Sequence, residues 1–291
     1  MTKLLFSLSL AAALLSSAAC GVVDVAAQTQ TGTFERTLQV NGPVNLSVTT
    51  GSGDIQIRTG SGETVHVIGR IRAGGGVLAL DDPAARISQI EKNPPIEQTG
   101  ATVRVGATGD NPLYRNISIS YEITVPANAE IRSVTGSGSQ SIGSVRGSVT
   151  AQSGSGSINI AEAGGDVRAR TGSGSIRIER AGGLVDASTG SGSIHAGSIR
   201  GAIKAQTGSG GVDMTQVESA DVDVRTGSGS VRLDLADNAG FDFSARTGSG
   251  SIEVKQAMAA RVQSRHRLEG TVGGGGAKVN VSTGSGSITV R

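Results

Sequence analysis

A Gly-Ser-Gly triplet recurs through the second half of the sequence at a nearly constant interval, and this recurrence limits the possible folds more than any other feature. Successive triplets from residue 136 onward are separated by 18, 18, 18, 18, 19, 21 and 36 residues. The last interval equals two periods, and residues 266–283 keep parts of the pattern as a degraded copy. A period of 18 residues predicts a solenoid, in which each unit packs only on its neighbours. The triplets assigned to the repeat begin at Gly51, Gly136, Gly154, Gly172, Gly190, Gly208, Gly227, Gly248 and Gly284.

Each copy carries two pairs of apolar residues, and within each pair one residue separates the two apolar positions. This alternation predicts two short strands with one buried face each. An 18-residue unit cannot bury that face alone, so we expect successive copies to stack in parallel and to align equivalent residues in ladders. The residues predicted to form the inner ladder at the fifth position are Ile158, Ile176, Ile194, Val212, Val231, Ile252 and Ile288.

The sequence therefore predicts an all-β fold, a single-stranded parallel β-helix of about 18-residue coils. We expect a right-handed coil, because the apolar spacing does not fit six-residue steps and parallel crossovers are right-handed by strong preference. With 45 glycines and six aromatic residues, small and β-branched side chains must fill the interior. A second predicted ladder occupies the corner before each turn and consists of Thr171, Thr189, Thr207, Thr226 and Thr247.

The region before the repeats is predicted to be a β-rich cap over the open end of the coil, spanning residues 28–132, with the solenoid at 133–291. It contains one early repeat copy at 51–57. Asp82 and Pro83 are helix-start signals, and Pro94 and Pro95 are stop signals, so a short helix is predicted near residues 83–92. Alternating apolar residues predict strands at 103–105 and 117–125.

The first 27 residues are predicted to be an export signal. Lys3 precedes a short apolar stretch and a run of small residues that ends at Cys20, as in a signal peptide. Two processing routes fit this segment. Cys20, the only cysteine, is the predicted lipid attachment site if the protein is an outer-membrane or periplasmic lipoprotein. Cleavage before Gln28 would instead give a secreted or cell-surface chain.

Three segments carry a family resemblance. An early "SGDIQI", a strand ending in "ITVPANAEI" and serial "TGSGSI" units follow the exported amino terminus, and this order resembles the "putative adhesin" family of bacterial envelope proteins (DUF4097). The resemblance implies a β-helical envelope protein for which adhesion is a family label, and some members are linked to envelope stress. Most copies here have Ser where many members have Asp at the fourth position, which puts in doubt any function that needs an acidic row.

No sequence pattern brings together residues for catalysis, for cofactor binding or for metal binding. The three histidines, His66, His195 and His266, do not have metal-ligand spacing. Gly-Ser-Gly is followed by a strand rather than by the helix that a phosphate loop requires. A net charge of +2 offers no basic field for nucleic acid. Membrane attachment is expected only through a lipid on Cys20. No catalytic, cofactor or metal residue is therefore predicted.

We expect a non-catalytic envelope protein with a structural or adhesive role, which presents a repetitive polar surface to an envelope protein or glycan. Three alternatives stay open. A polysaccharide lyase or hydrolase could use carboxylates on a coil face. The flat coil ends could support self-assembly. The regular Thr and Ser hydroxyls could bind an ice or glycan lattice. The acidic residues considered for catalysis are Asp166, Asp186, Asp213, Asp223, Asp234 and Asp242.

Overall fold

Two long β-sheets make up the protein. The computed structural model describes residues 30–74, 82–106, 111–236 and 240–291. The predicted signal at 1–27, with Cys20, lies outside the described residues. The first sheet, sheet A, has twelve strands, numbered along the chain: β1 (Gln30–Gln39), β3 (Ile55–Gly60), β4 (Thr64–Ala73), β7 (Ile117–Pro126), β9 (Gln140–Val145), β11 (Ile158–Ala163), β13 (Ile176–Ala181), β15 (Ile194–Ile199), β17 (Val212–Gln216), β19 (Val231–Asp234), β21 (Ile252–Val254) and β25 (Ile288–Val290).

The second sheet, sheet B, has thirteen strands, and over most of the chain successive strands alternate between the two sheets. Its members are β2 (Asn45–Thr50), β5 (Ile96–Thr99), β6 (Thr102–Val105), β8 (Glu130–Thr135), β10 (Val149–Ser153), β12 (Val167–Thr171), β14 (Val185–Thr189), β16 (Ile203–Ser209), β18 (Val222–Ser228), β20 (Phe241–Ser249), β22 (Met258–Gln263), β23 (Arg267–Val272) and β24 (Ala277–Ser285).

Parallel pairing in register confirms the predicted β-solenoid. Ile158 pairs with Ile176, Ile176 with Ile194, and Ile194 with Val212. In sheet B the threonines before each turn pair in the same way, as Thr171 does with Thr189. The inward side chains of both sheets form one hydrophobic cluster, so the interior between the sheets is a continuous column. The right-handed sense of the coil stays a prediction.

The region before residue 132 adds strands to the same two sheets. β2 and β3 form a coil that pairs directly with β8 and β9 of the next coil. On its other side lie β6 and β7. β4 then turns back antiparallel to β7 within sheet A, and β1 pairs antiparallel to β4. Both sheets therefore run without a break across the boundary proposed at 132, and the division into cap and solenoid stays a prediction.

One α-helix, α1 (Pro83–Lys92), lies in the described residues and confirms the predicted helix. The Asp82 side chain accepts a hydrogen bond from the Ala84 amide at 2.9 Å, which is an N-cap. Its apolar face, with Ile87 and Ile90 buried, packs against β1 and β4 at the end of sheet A. Within the described residues, no helix is long and apolar enough to cross a membrane.

The order of the coils at the carboxy end differs from the predicted one. The sequence places β24 and β25 after β20 and β21, but in the structure they lie between β18–β19 and β20–β21. Ile288 accordingly pairs with Val231 on one side and Ile252 on the other. The degraded copy at 266–283 is not a full coil, because β23 pairs antiparallel with β20 and β22. Periodicity gives the register of each strand but not the order in which the coils stack.

Candidate binding surfaces

The threonine ladder is buried at the corner of the coil, and each hydroxyl is used inside the protein. The Oγ1 of Thr189 donates to the carbonyl oxygen of Gly174 at 2.8 Å and accepts from the Gly192 amide at 3.2 Å. In its own coil Ser153 makes the same two bonds. These hydroxyls link one coil to the next. Because these hydroxyls are not presented to solvent, the threonines do not contribute to a surface that could bind an ice or glycan lattice.

In most triplets of the repeat, the glycine at the third position is required by space rather than by backbone angle, whereas Gly250 and Gly286 also have a positive φ, of 140° and 145°. In the coil at 172–174, a Cβ placed on Gly174 would overlap the carbonyl of Gly156 in the neighbouring coil. Its φ is not in the left-handed region, where glycine is favoured for conformational reasons. The serine between the two glycines stays exposed. The triplets are thus the corners at which neighbouring coils pack closely. The described residues around them form no catalytic arrangement.

The acidic residues considered for catalysis are separated by the fold. Asp186 and Asp223 lie on sheet B, where each pairs with an arginine, Arg170 at 3.2 Å and Arg225 at 2.8 Å. Asp213 lies on the outer face of sheet A, 3.8 Å from His195 and 3.9 Å from Arg232. Of the others, Asp166 accepts from the Leu184 amide, Asp242 accepts from the Thr271 hydroxyl, and Asp234 lies on β19.

The histidines are also far apart. The Nε2 of His66 is 2.7 Å from the Glu35 carboxylate at the amino-terminal end of sheet A. His195 lies mid-sheet, and His266 lies in the turn before β23. Among the described residues, no three His, Cys, Asp or Glu side chains lie close enough together to hold a metal ion.

A depression of about 310 Å³ lies on the outer face of sheet A, and we call it the sheet A depression. Its floor is formed by short side chains on β9 and β11. Its two walls are formed by longer side chains on β3 and β13. Short outward residues between long ones thus create a concave site on an otherwise regular face. The floor residues are Ser141, Gly143, Asn159 and Ala161, and the wall residues are Gln56 and Arg58 on one side and Arg177 and Glu179 on the other.

The walls carry the charge of the sheet A depression. The Nη2 of Arg58 donates to the Gln56 side chain at 3.2 Å, which holds this guanidinium over the edge of the floor. Arg177 lies on β13, level with Gln56 rather than with Arg58, and is exposed. Among the described residues, neither arginine lies within 4.0 Å of a carboxylate. The two arginines therefore lie diagonally on opposite sides of a neutral floor.

A second polar depression of about 340 Å³ adjoins the first and shares Gln56, Ser141 and Asn159 with it. It ends at Arg70 and Arg72 on β4. Arg70 is ion-paired with Glu122. The two depressions together form a polar groove across neighbouring strands of sheet A. This groove was not predicted from the sequence. The sequence feature that indicates it is the short residues at the sixth and eighth positions, counted from the first glycine, of the coils that begin at 136 and 154.

A pocket of about 420 Å³ lies at the corner of the coil formed by β6 and β7, where a longer connection replaces the Gly-Ser-Gly turn. It is lined by both tyrosines of the chain, Tyr114 and Tyr121, and by Arg115. Burial raises the pKa of Tyr114. Burial, and secondarily the neighbouring Tyr114, raises the pKa of Tyr121. The Arg86 guanidinium on α1 donates to the Arg115 carbonyl at 2.9 Å and so supports the wall of this pocket.

The carboxy-terminal part of the chain is similar to a known protein family. Residues 185–291 match the family model described as Toastrack DUF4097. No curated protein matches the sequence. The matched segment runs from β14 to the carboxy terminus and includes the coils with the inverted order. The family match agrees with the resemblance found in the sequence.

Solved structures of low sequence identity align with most of the chain. A putative cell adhesion protein from Clostridium sporogenes is 14% identical, with a TM-score of 0.29, covering 90% of this chain and 99% of its own. A putative adhesin from Bacteroides fragilis is 14% identical, with a TM-score of 0.45 and coverages of 89% and 97%. A putative lipid binding protein from Parabacteroides distasonis is 12% identical, with a TM-score of 0.37 and coverages of 89% and 96%. All three TM-scores are below 0.5.

Proposed function

Taking residues 185–291 as a Toastrack (DUF4097) domain, we propose that this protein is a non-catalytic, adhesin-like binding protein of the bacterial cell envelope. The observation that carries the proposal is the outer face of sheet A. There, in-register strands display columns of polar side chains around a groove. Such a rigid, repetitive and polar face suits the binding of an extended macromolecule.

The proposal that the protein is not an enzyme is supported by how its charged groups are used. The carboxylates of Asp186 and Asp223 are engaged by arginines on sheet B, whereas Asp213 is on the other sheet. Paired carboxylates flanking one glycosidic bond are the usual requirement for glycoside hydrolysis. A purified chain that cleaves envelope glycans or polyuronates would contradict the proposal.

The proposed location is outside the cytoplasm, in the outer membrane or periplasm as a lipoprotein, or at the cell surface after ordinary secretion. This part of the proposal depends on residues 1–27. The mass of the mature amino terminus distinguishes the two routes, because a chain starting at Cys20 carries added lipid and a chain starting at Gln28 does not.

The binding proposal is tested by co-sedimentation of the purified chain with protein-free envelope polysaccharide from the source bacterium. We expect saturable binding that falls when Asn159 in the groove floor is changed to a bulky residue, Asn159→Tyr. Arg232 lies four strands away from Asn159 on the same face, and the matched Arg232→Tyr variant should bind as the wild type does. Absence of binding to every envelope fraction would contradict an adhesive role.

Self-assembly is the second candidate, and it is favoured by one edge strand. β22 is the last strand of sheet B in the described residues, with one backbone edge unpaired and Val262 38% exposed. Exposed edge strands pair with other chains. Sedimentation velocity over a range of protein concentrations would reveal this association, and a Val262→Lys change on the edge should abolish it.

A further inference from the structure

We propose that the sheet A depression binds an acidic glycan whose carboxylates are separated by neutral sugar rings. This inference rests on the proposed binding function and names its ligand class. The relevant geometry is a row of four strands, β3, β9, β11 and β13, of which only the two outer strands contribute long charged side chains to the lining of the depression. Three strand spacings separate the outer strands, about 14 Å.

The floor of the depression has the chemistry that sugar rings require. The Ser141 hydroxyl and the Asn159 amide are exposed hydrogen-bonding groups side by side on adjacent strands, and both donate and accept. Gly143 and Ala161 lie beside them and expose a small apolar surface. A pyranose ring presents hydroxyls at its edge and C–H groups on its face, so it matches both halves of this floor.

The walls select the charge of the ligand. Arg58 and Arg177 lie diagonally across the floor, because Arg177 is level with Gln56 and Arg58 lies two residues further along β3. A guanidinium binds a carboxylate through two parallel hydrogen bonds, so the diagonal pair fits two carboxylates with neutral rings between them. Glu179 lies beside Arg177 on the same wall. Its negative charge disfavours a ligand that carries a carboxylate on every ring and can accept hydrogen bonds from sugar hydroxyls.

The adjoining depression extends the site in one direction. Its floor shares Gln56, Ser141 and Asn159 with the first, and its far end carries Arg72. Asp54 in this lining accepts a hydrogen bond from the Ser139 amide at 2.8 Å, and Glu122 is paired with Arg70. These contacts use two of the negative groups of the groove, which leaves Arg72 to bind a further carboxylate of a longer chain.

The test measures binding of the full chain to fluorescently labelled hyaluronate hexasaccharide, in which glucuronate alternates with a neutral sugar. Its carboxyl-reduced form is the neutral control, and oligogalacturonate and a chondroitin sulfate hexasaccharide are the competitors. We expect the reduced form to bind about tenfold more weakly, and Arg177→Gln to cause a loss of similar size. We expect Arg232→Gln, the matched change on the same face, to alter the affinity less than about twofold.

A second pair of variants separates the shape of the depression from its charge. Ala161→Tyr fills the floor without changing charge and should abolish binding, whereas Thr215→Tyr, in the same column farther along the sheet, should not. Circular dichroism checks that each variant is folded.

Equal binding of the reduced glycan, or no effect of Arg177→Gln, overturns the proposal that the ligand is acidic. Loss of binding with Ala161→Tyr would in that case keep the groove as a site for a neutral glycan. Preference for oligogalacturonate or the sulfated glycan overturns the carboxylate spacing. If no glycan binds, the inference fails, while co-sedimentation with envelope material independently decides the proposed function.

Discussion

Two adjacent glycines, Gly210 and Gly211, provide a direct test of why the triplets contain glycine. Gly210 is the third residue of its triplet, and Gly211 occupies the position that is serine in most other copies. Neither has a φ in the left-handed region. Any difference between alanine substitutions at these two sites must therefore come from the surroundings of the added methyl group.

The structure gives the sign and size of that difference. A Cβ on Gly210 would lie 2.7 Å from the Gly192 carbonyl carbon, whereas a Cβ on Gly211 meets its nearest atom, the Ser230 carbonyl oxygen, at an ordinary 3.5 Å. The neighbours of Gly210 are backbone atoms held in a parallel ladder, so they cannot rotate away. Overpacking of this kind costs about 3 kcal/mol. Gly211→Ala removes only unfolded-state freedom and should stabilise by about 0.5 kcal/mol.

Urea unfolding of the two variants, followed by circular dichroism, measures this difference. Because a repeat array can unfold in parts, hydrogen exchange of the Gly210 amide, bonded to the Ser228 carbonyl at 3.0 Å, supplies a local readout. We expect Gly210→Ala to lose about 3 kcal/mol and to exchange faster around its coil. If Gly210→Ala stays within about 0.5 kcal/mol of the wild type, or if Gly211→Ala is equally destabilising, the close approach of the coils does not explain the glycines.

Three further predictions concern buried polar groups. Thr189→Val removes a hydroxyl that makes one hydrogen bond to the neighbouring coil and one within its own turn, and it should cost about 1–3 kcal/mol in urea unfolding. Thr189→Ser should stay near wild type, and equal losses would contradict the linking role. Gln140 occupies the inner ladder of sheet A with its Oε1 unpaired, so Gln140→Ile should raise the unfolding free energy by about 1 kcal/mol, and a decrease would contradict this. Burial raises the pKa of Tyr121 above its ordinary 10.0, so the stability is retained below about pH 10 and falls as the pH rises toward the folded-state pKa. Tyr121→Phe should therefore flatten the decline of the melting temperature at alkaline pH. An unchanged decline in this variant would refute the role of Tyr121.

Much of the fold is predictable because the repeat is redundant. Each copy places apolar residues at the same positions, so the register of Ile158, Ile176 and Ile194 follows from any single interval. The helix at 83–92 follows from local signals, an N-cap at Asp82 and the prolines that end it. These features depend on short-range sequence rules, and the structure agrees with them.

The stacking order and the candidate site depend on relations between coils, which a periodic sequence does not encode. Ile288 fits equally well against Val231 or Ile252, because all three are β-branched residues at the same coil position. In the structure, Ile288 lies between these two residues and pairs with both. The sheet A depression similarly depends on which outward residues become neighbours. Arg58 comes within three strands of Arg177 only because β3 pairs with β9, although 119 residues separate the two arginines in the sequence.

At both ends of the solenoid, one coil is inserted between two others. At the carboxy end, the last coil, β24–β25, fills a gap between two earlier coils, and at the amino end β2–β3 lies inside β6–β7. These two coils are therefore held on both sides instead of forming fraying edges. The sheets end instead in antiparallel pairs, β22–β23, β5–β6 and β1–β4, or in the three-residue strand β21. Antiparallel pairs and short edge strands interrupt the parallel ladder, which limits the addition of whole parallel coils from other molecules and leaves strand pairing at the β22 edge as the route to self-assembly. The inner coils between them are consequently rigid, and the sheet A depression lies on these coils, where its two arginine walls are held at a fixed separation.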